Sequence, residues 1–134
     1  GKVLFICPDK SKTALIKRMF AAEFPKKSAE FYVYENSSKL EAELSKKIQS
    51  CDEIVLFTKL TGYAVNNKKI WNYARPKEIA TLIKKEGKEK NTIVISTNLP
   101  YDSVNFEEFE WHASYDYTYN GYKNLLSVIL KSGE

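Results

Sequence analysis

Cys7-Pro8-Asp9-Lys10-Ser11-Lys12-Thr13 runs from an apolar strand into a helical segment. It is the first place where this chain could do chemistry, because a helix N-terminus can hold an anion. Three chemistries use such a turn. A dinucleotide site needs glycines so that the backbone can approach the pyrophosphate, and this turn has none. A P-loop needs a Gly-rich run ending in Gly-Lys-Ser/Thr, which is also absent. A cysteine phosphatase needs an arginine six residues beyond its thiolate to clamp the phosphate, and Thr13 stands there. The remaining reading is a structural cysteine, with Ser11 capping the helix. Cys7 and Cys51 lie too far apart in sequence to suggest a metal site or a disulfide framework, and no metal is expected.

A second candidate is the segment after Ile54-Val55-Leu56-Phe57-Thr58, a buried-strand signal. In an open parallel sheet, ligands gather outside the carboxyl ends of the strands. Yet from Ile54 to Lys77 there is no Asp or Glu, which argues against acid/base catalysis from this loop. A phosphoacceptor aspartate is missing too, since Thr58 or Lys59 occupies the end of the strand. What the segment does carry is Tyr63, Asn66, Asn67, Trp71, Asn72 and Tyr73. These suit either stacking on sugar rings or burial in a domain interface, where aromatic residues are enriched. The single histidine, His112, lies near Glu107, Glu108 and Glu110. With no serine or cysteine motif to activate, it reads as a surface or packing residue. Those carboxylates, with Asp102, read as a solvated face rather than an acid/base pair.

The elements that must position these residues alternate strand and helix. Strands are expected at Lys2–Cys7, Glu30–Tyr34, Ile54–Thr58, Thr92–Ser96 and Trp111–Tyr117. Helical periodicity covers Thr13–Phe24, where Pro25 ends it. Further helices are expected with Ser38 as the cap of one (stripe Leu40, Leu44, Ile48), from Pro76 to Gly87, and over Leu125–Leu130. Strands separated by helices imply right-handed crossovers and a parallel sheet covered on both faces. The fold expected is α/β, a three-layer αβα sandwich with a mostly parallel sheet of about five or six strands.

With 134 residues and 43% hydrophobic composition, the chain suits a single globular domain over residues 1–134, burying roughly two-thirds of its unfolded surface. No apolar run approaches the ~20 residues of a membrane span. The net charge of +4 is mild. The lysine clusters at residues 10–18, 26–27 and 84–90 read as solvated helix faces, so no nucleic-acid partner is expected. The chain starts with Gly rather than Met, and a domain excised from a longer protein is the expectation.

Two resemblances follow from these residues. Val3-Leu4-Phe5-Ile6-Cys7 with Ser11, Lys12 and Thr13 resembles the phosphocysteine loop of cellobiose-type IIB proteins of sugar phosphotransferase systems, which would make the chain a carrier using Cys7. Here Pro8, Asp9 and Lys10 replace the glycine and hydroxyl residues of that loop. The wider resemblance spans nearly the whole chain. Gly1-Lys2-Val3-Leu4, Asp52-Glu53-Ile54-Val55-Leu56-Phe57-Thr58, Thr92-Ile93-Val94-Ile95-Ser96-Thr97-Asn98-Leu99-Pro100-Tyr101-Asp102, Ala113-Ser114-Tyr115 and Leu125-Leu126-Ser127-Val128-Ile129-Leu130 resemble, in order, the C-terminal α/β-sandwich domain of family 3 glycoside hydrolases. The Asn-x-Pro-Tyr-Asp turn is the most specific part.

That resemblance implies a parent protein with an N-terminal catalytic β/α barrel that carries the nucleophile. In the β-glucosidase branch, the loop after the third sandwich strand supplies the acid/base glutamate. In the β-N-acetylglucosaminidase branch the acid/base lies on the barrel. The acid-free segment here favours the second branch. The implied domain is non-catalytic, with no catalytic residue and no cofactor. Its partners would be the barrel of the same parent chain and a carbohydrate at the domain interface. Substrate contacts would come from Tyr63, Asn66, Trp71, Tyr73, Asn98, Tyr101 and Asp102. The parent is expected to be soluble; its compartment is left open, with the exterior of the cell or its surface among the options.

Overall fold

The computed structural model describes residues 1–35, 37–58, 61–65, 68–72, 74–96, 109–113 and 118–130. Along the chain these form β1 (Lys2–Cys7), α1 (Lys10–Glu23), β2 (Ser28–Val33), α2 (Leu40–Ser50), β3 (Glu53–Thr58), β4 (Thr61–Val65), β5 (Lys68–Asn72), α3 (Ala74–Lys85), β6 (Thr92–Ser96), β7 (Glu110–Ala113) and α4 (Tyr119–Ile129). A parallel sheet runs in the order β2-β1-β3-β6-β7. Four of its strands have five or six residues, and β7 adds a four-residue edge. The sheet thus sits at the small end of the expected size.

β1 and β3 read as unbroken apolar runs because both of their faces are covered. Val3 through Cys7 and Ile54 through Phe57 are at most 1% exposed. Alternation along these strands divides the core. Leu4, Ile6, Ile54, Leu56 and Val94 pack with Leu40, Leu44 and Ile48 of α2 and with Ile79, Leu82 and Ile83 of α3. Val3, Phe5, Val55, Phe57 and Ile95 pack with Ile16, Met19 and Phe20 of α1 and with Tyr122 and Leu126 of α4. Helices therefore cover both faces of the sheet. Phe5 anchors the second core, edge-on to Phe20 and stacked on Phe31, each with centroids 5.1 Å apart. Such ring pairs add about 0.5–1.5 kcal/mol beyond area burial.

Local chemistry fixes the helix ends. α3 closes in a Schellman motif: Lys88 N–H donates to Ile83 O, and Gly87 N–H donates to Lys84 O. Gly87 takes φ +68°, the left-handed conformation this motif demands. α4 is capped by Thr118, whose hydroxyl accepts from Gly121 N–H at 3.2 Å. Its stripe of Tyr122, Leu126 and, just past its end, Leu130 is fully buried.

Several expectations need correction. α1 starts at Lys10 rather than Thr13, and its cap is Asp9 rather than Ser11. A carboxylate is the stronger acceptor for the exposed helix amides, and Ser11 donates to it instead. α2 begins at Leu40 with Lys39 at its cap position and no side-chain cap hydrogen bond, so Ser38 does not cap it. α3 begins two residues before Pro76, and α4 six residues before Leu125. β2 begins at Ser28 because the ladder with β1 pairs Lys2 with Ser28 and ends at Cys7 with Val33. β7 covers Glu110–Ala113; residues 114–117 of the expected strand lie outside the described residues. The segment read as an aromatic loop contains a separate antiparallel hairpin, β4 with β5. Among the described residues no helix is long and apolar enough to cross a membrane.

Candidate functional site

In the order β2-β1-β3, the chain leaves β1 toward one edge and then returns to the other side of β1. This reversal makes a crevice outside the carboxyl ends of β1 and β3, where ligands bind in open α/β sheets. Cys7 and Thr58 end β1 and β3 there, and Tyr34 follows the end of β2, each 3% exposed or less.

The chain's own groups are hydrogen-bonded to one another at these strand ends. Tyr34 N–H donates to Cys7 O at 3.0 Å, and Glu35 N–H to Pro8 O at 3.2 Å, extending the β1–β2 zipper past the ladder. The Tyr34 phenol donates to Phe57 O at 2.8 Å in a buried bond, tying the end of β2 to the end of β3. Asp9 holds the turn into α1. Its carboxylate accepts from Lys12 N–H at 2.8 Å and from the Ser11 hydroxyl at 3.0 Å. Its carbonyl accepts from the Thr13 hydroxyl at 2.7 Å. The helix N-terminus that could have received an anion already holds one from its own chain.

Cys7 is fully buried, and burial pushes its thiol up to about 12, against a smaller opposing hydrogen bond from Thr13. Burial raises Cys51 as well. A buried neutral thiol is a poor nucleophile, since the thiolate is the reactive form. This environment weighs against a phosphocysteine at Cys7, as does the carboxylate of Asp9 two residues away. Among the described residues no three His, Cys, Asp or Glu side chains converge as metal ligands.

The hairpin enters the chain at the carboxyl end of β3. Tyr63 pairs with Ile70 and Trp71 with Gly62. Since residues alternate across a strand, Tyr63 and Trp71 lie on opposite faces of the ribbon. Asn66, Tyr73, Asn98, Tyr101 and Asp102 lie outside the described residues. His112 sits on edge strand β7 opposite Ile95.

Sequence reasoning missed the bridge from Tyr34 to Phe57, for which no local signal exists. It also missed the hairpin, although Asn66-Asn67 between two segments rich in β-branched and aromatic residues is a hairpin signal.

No family model matches the chain, and no curated protein matches it. Among solved structures, it is similar to a de novo designed Rossmann 2x3 fold protein determined by solution NMR. The TM-score is 0.62 with 14% identity, covering 99% of this chain and 91% of the designed one. At that identity the likeness shows the fold alone, a Rossmann-like α/β arrangement. Since fold does not imply function, the likeness assigns no activity.

Proposed function

We propose that this chain is a non-catalytic docking domain of a family 3 glycoside hydrolase of the β-N-acetylglucosaminidase kind. It packs on the catalytic barrel of its parent protein and borders the sugar cleft. The observation that carries this reading is the hairpin at the carboxyl end of β3, in a segment with no carboxylate from Ile54 to Lys77. Retaining hydrolysis needs a nucleophile and an acid/base about 5 Å apart, and this segment supplies neither. It offers instead Tyr63, Trp71 and hydrogen-bonding amides, which suit the wall of a carbohydrate cleft or a contact with the barrel. The Rossmann-like arrangement is compatible with the sandwich domain that the sequence resemblance implies.

On this reading, the coding sequence upstream of Gly1 encodes a β/α barrel, typically about 250 residues. The full product hydrolyses 4-nitrophenyl N-acetyl-β-D-glucosaminide, and residues 1–134 alone do not. Turnover by residues 1–134, or a full product that lacks a barrel, would refute the proposal.

A further inference from the structure

β2 stands at one edge of the main sheet and, among the described residues, pairs only with β1. The pairing is continuous from Ser28 to Val33, with no bulge. Alternate residues of a strand direct their backbone groups to opposite sides. Tyr34 N–H donates to Cys7 O. Glu30 and Tyr32, in step with Tyr34, therefore face β1, and Ala29, Phe31 and Val33 present their N–H and C=O groups outward. Natural edges are normally blunted by proline, a bulge, a charged side chain or shortness. β2 has six residues, no proline and no charge at its three outward positions.

An open groove of about 620 Å³ runs beside this edge. Phe20 and Ala21 of α1 and Ala29 and Phe31 of β2 form its apolar floor, and Lys17 of α1 and Lys47 of α2 stand on its two sides. α1 and α2 cover opposite faces of the sheet, so the groove occupies the space between the helix layers that a further strand would enter. Phe31 is only half-buried, stacked on Phe5 inward.

The side chains around the edge carry a cationic surplus. Lys2 and Lys47 share the single carboxylate of Glu30, at 3.0 and 3.6 Å. Lys27 pairs with Glu53 at 3.4 Å. Lys17 is exposed, with its Nζ 5.3 Å from the centre of the Phe31 ring. Four lysines thus stand against two glutamates.

We infer that the β2 edge is a strand-addition site, and that it takes an extended segment of a partner protein in which acidic and apolar residues alternate. Backbone pairing with Ala29, Phe31 and Val33 supplies affinity, and the groove supplies selectivity. Antiparallel addition, the more stable pairing per residue, sets the residues opposite these three on the α1 side, where the floor is apolar. The intervening residues fall on the α2 side, where Lys2 and Lys47 favour carboxylates. A second copy of this chain lacks that complementarity, since two β2 strands paired about a twofold axis bring one cationic surplus onto the other. The inference does not depend on the family proposed for the chain, because β1 separates β2 from β3, where the hairpin enters.

The test uses residues 1–134 and the capped peptide acetyl-EVEVEVE-amide, read by amide hydrogen exchange. In the free protein the N–H groups of Ala29, Phe31 and Val33 should exchange fast, and those of Tyr32 and Tyr34 slowly. The peptide should slow the three outward amides by about tenfold or more and leave the other two unchanged. Protection that ignores this alternation, or none at about 1 mM peptide, would overturn the inference. Protection of the same three amides without peptide, together with dimerisation, would assign the edge to a second copy instead.

Three controls separate pairing from charge. Acetyl-EVEPEVE-amide, whose proline cannot donate to the edge, should bind more weakly; equal binding would mean attraction without strand addition. The charge-reversed acetyl-KVKVKVK-amide should bind at least about tenfold more weakly. Lys17→Glu/Lys47→Glu should weaken binding of the acidic peptide to a similar degree, with native far-ultraviolet circular dichroism. Lys10→Glu/Lys90→Glu, at exposed positions outside the groove, should not. Equal binding of both charged peptides, or of the acidic peptide by both variants, would sink the acidic partner.

Discussion

Cys7 offers the sharpest test of how the carboxyl end of β1 works. Its side chain has no solvent exposure, and burial moves its thiol from an ordinary 9.0 to about 12. At pH 8 that displacement lowers the thiolate fraction roughly a thousand-fold, since each unit is a factor of ten. Burial slows attack further, because a reagent must wait for local opening. The assay is alkylation by iodoacetamide at pH 8, with Cys7 and Cys51 resolved by peptide mass spectrometry in native and guanidinium-unfolded protein. Native Cys7 should react at least about a thousand-fold more slowly than unfolded Cys7. A native rate within about tenfold of the unfolded one would refute the reasoning. It would mean an accessible thiolate and would revive the phosphocarrier reading.

The same shift has a consequence for stability. Between pH 9.0 and about 12 the folded chain retains a proton that the unfolded chain has released. The stability this group contributes is therefore complete below pH 9.0 and is lost as pH rises through about 12. The slope is about 1.4 kcal/mol per pH unit for one proton. Urea unfolding of wild type and Cys7→Ala across this range should show the slope in the wild type reduced by about that amount in the variant. Equal slopes would show that the thiol is not held neutral.

Two further predictions concern the groups that close the crevice. Asp9→Ala should cost about 1 kcal/mol in urea unfolding, the usual value of a lost N-cap, whereas Ser11→Ala should stay within about 0.5 kcal/mol. Equal costs would return the cap to Ser11. Tyr34→Phe leaves Phe57 O without its buried donor and should cost about 1–3 kcal/mol, while the far-ultraviolet circular dichroism stays native. A change below about 0.3 kcal/mol would show that the carbonyl is satisfied in some other way.

Much of the fold was legible because burial on two faces leaves a strong local trace. Ile93-Val94-Ile95 and Ile54 through Phe57 are apolar at every position, and a strand so composed belongs inside a parallel sheet. The stripe Leu40, Leu44, Ile48 and the glycine at the end of α3 were legible for similar reasons. The site was less so. Ser11 and Asp9 are both capping residues, and their order along the chain does not decide which one meets the helix amides. The hairpin was hidden by composition, since Tyr63, Trp71 and the asparagines around them also suit a ligand loop.

What the sequence by itself determined are properties that add up along the chain. These are an α/β alternation and the absence of carboxylates from Ile54 to Lys77. Each depends only on residue type and spacing, so no contact is needed to read it. What only the tertiary structure decided are properties of proximity. The order β2-β1-β3 sets the crevice beside β1. Tyr34 reaches Phe57 across 23 positions of sequence. Cys7 is buried in a core that residues of α1 and α4 share, and burial raises its thiol. A thiol's acidity and a crevice's occupancy are set by whatever lies within a few ångströms, and the fold alone decides which residues those are.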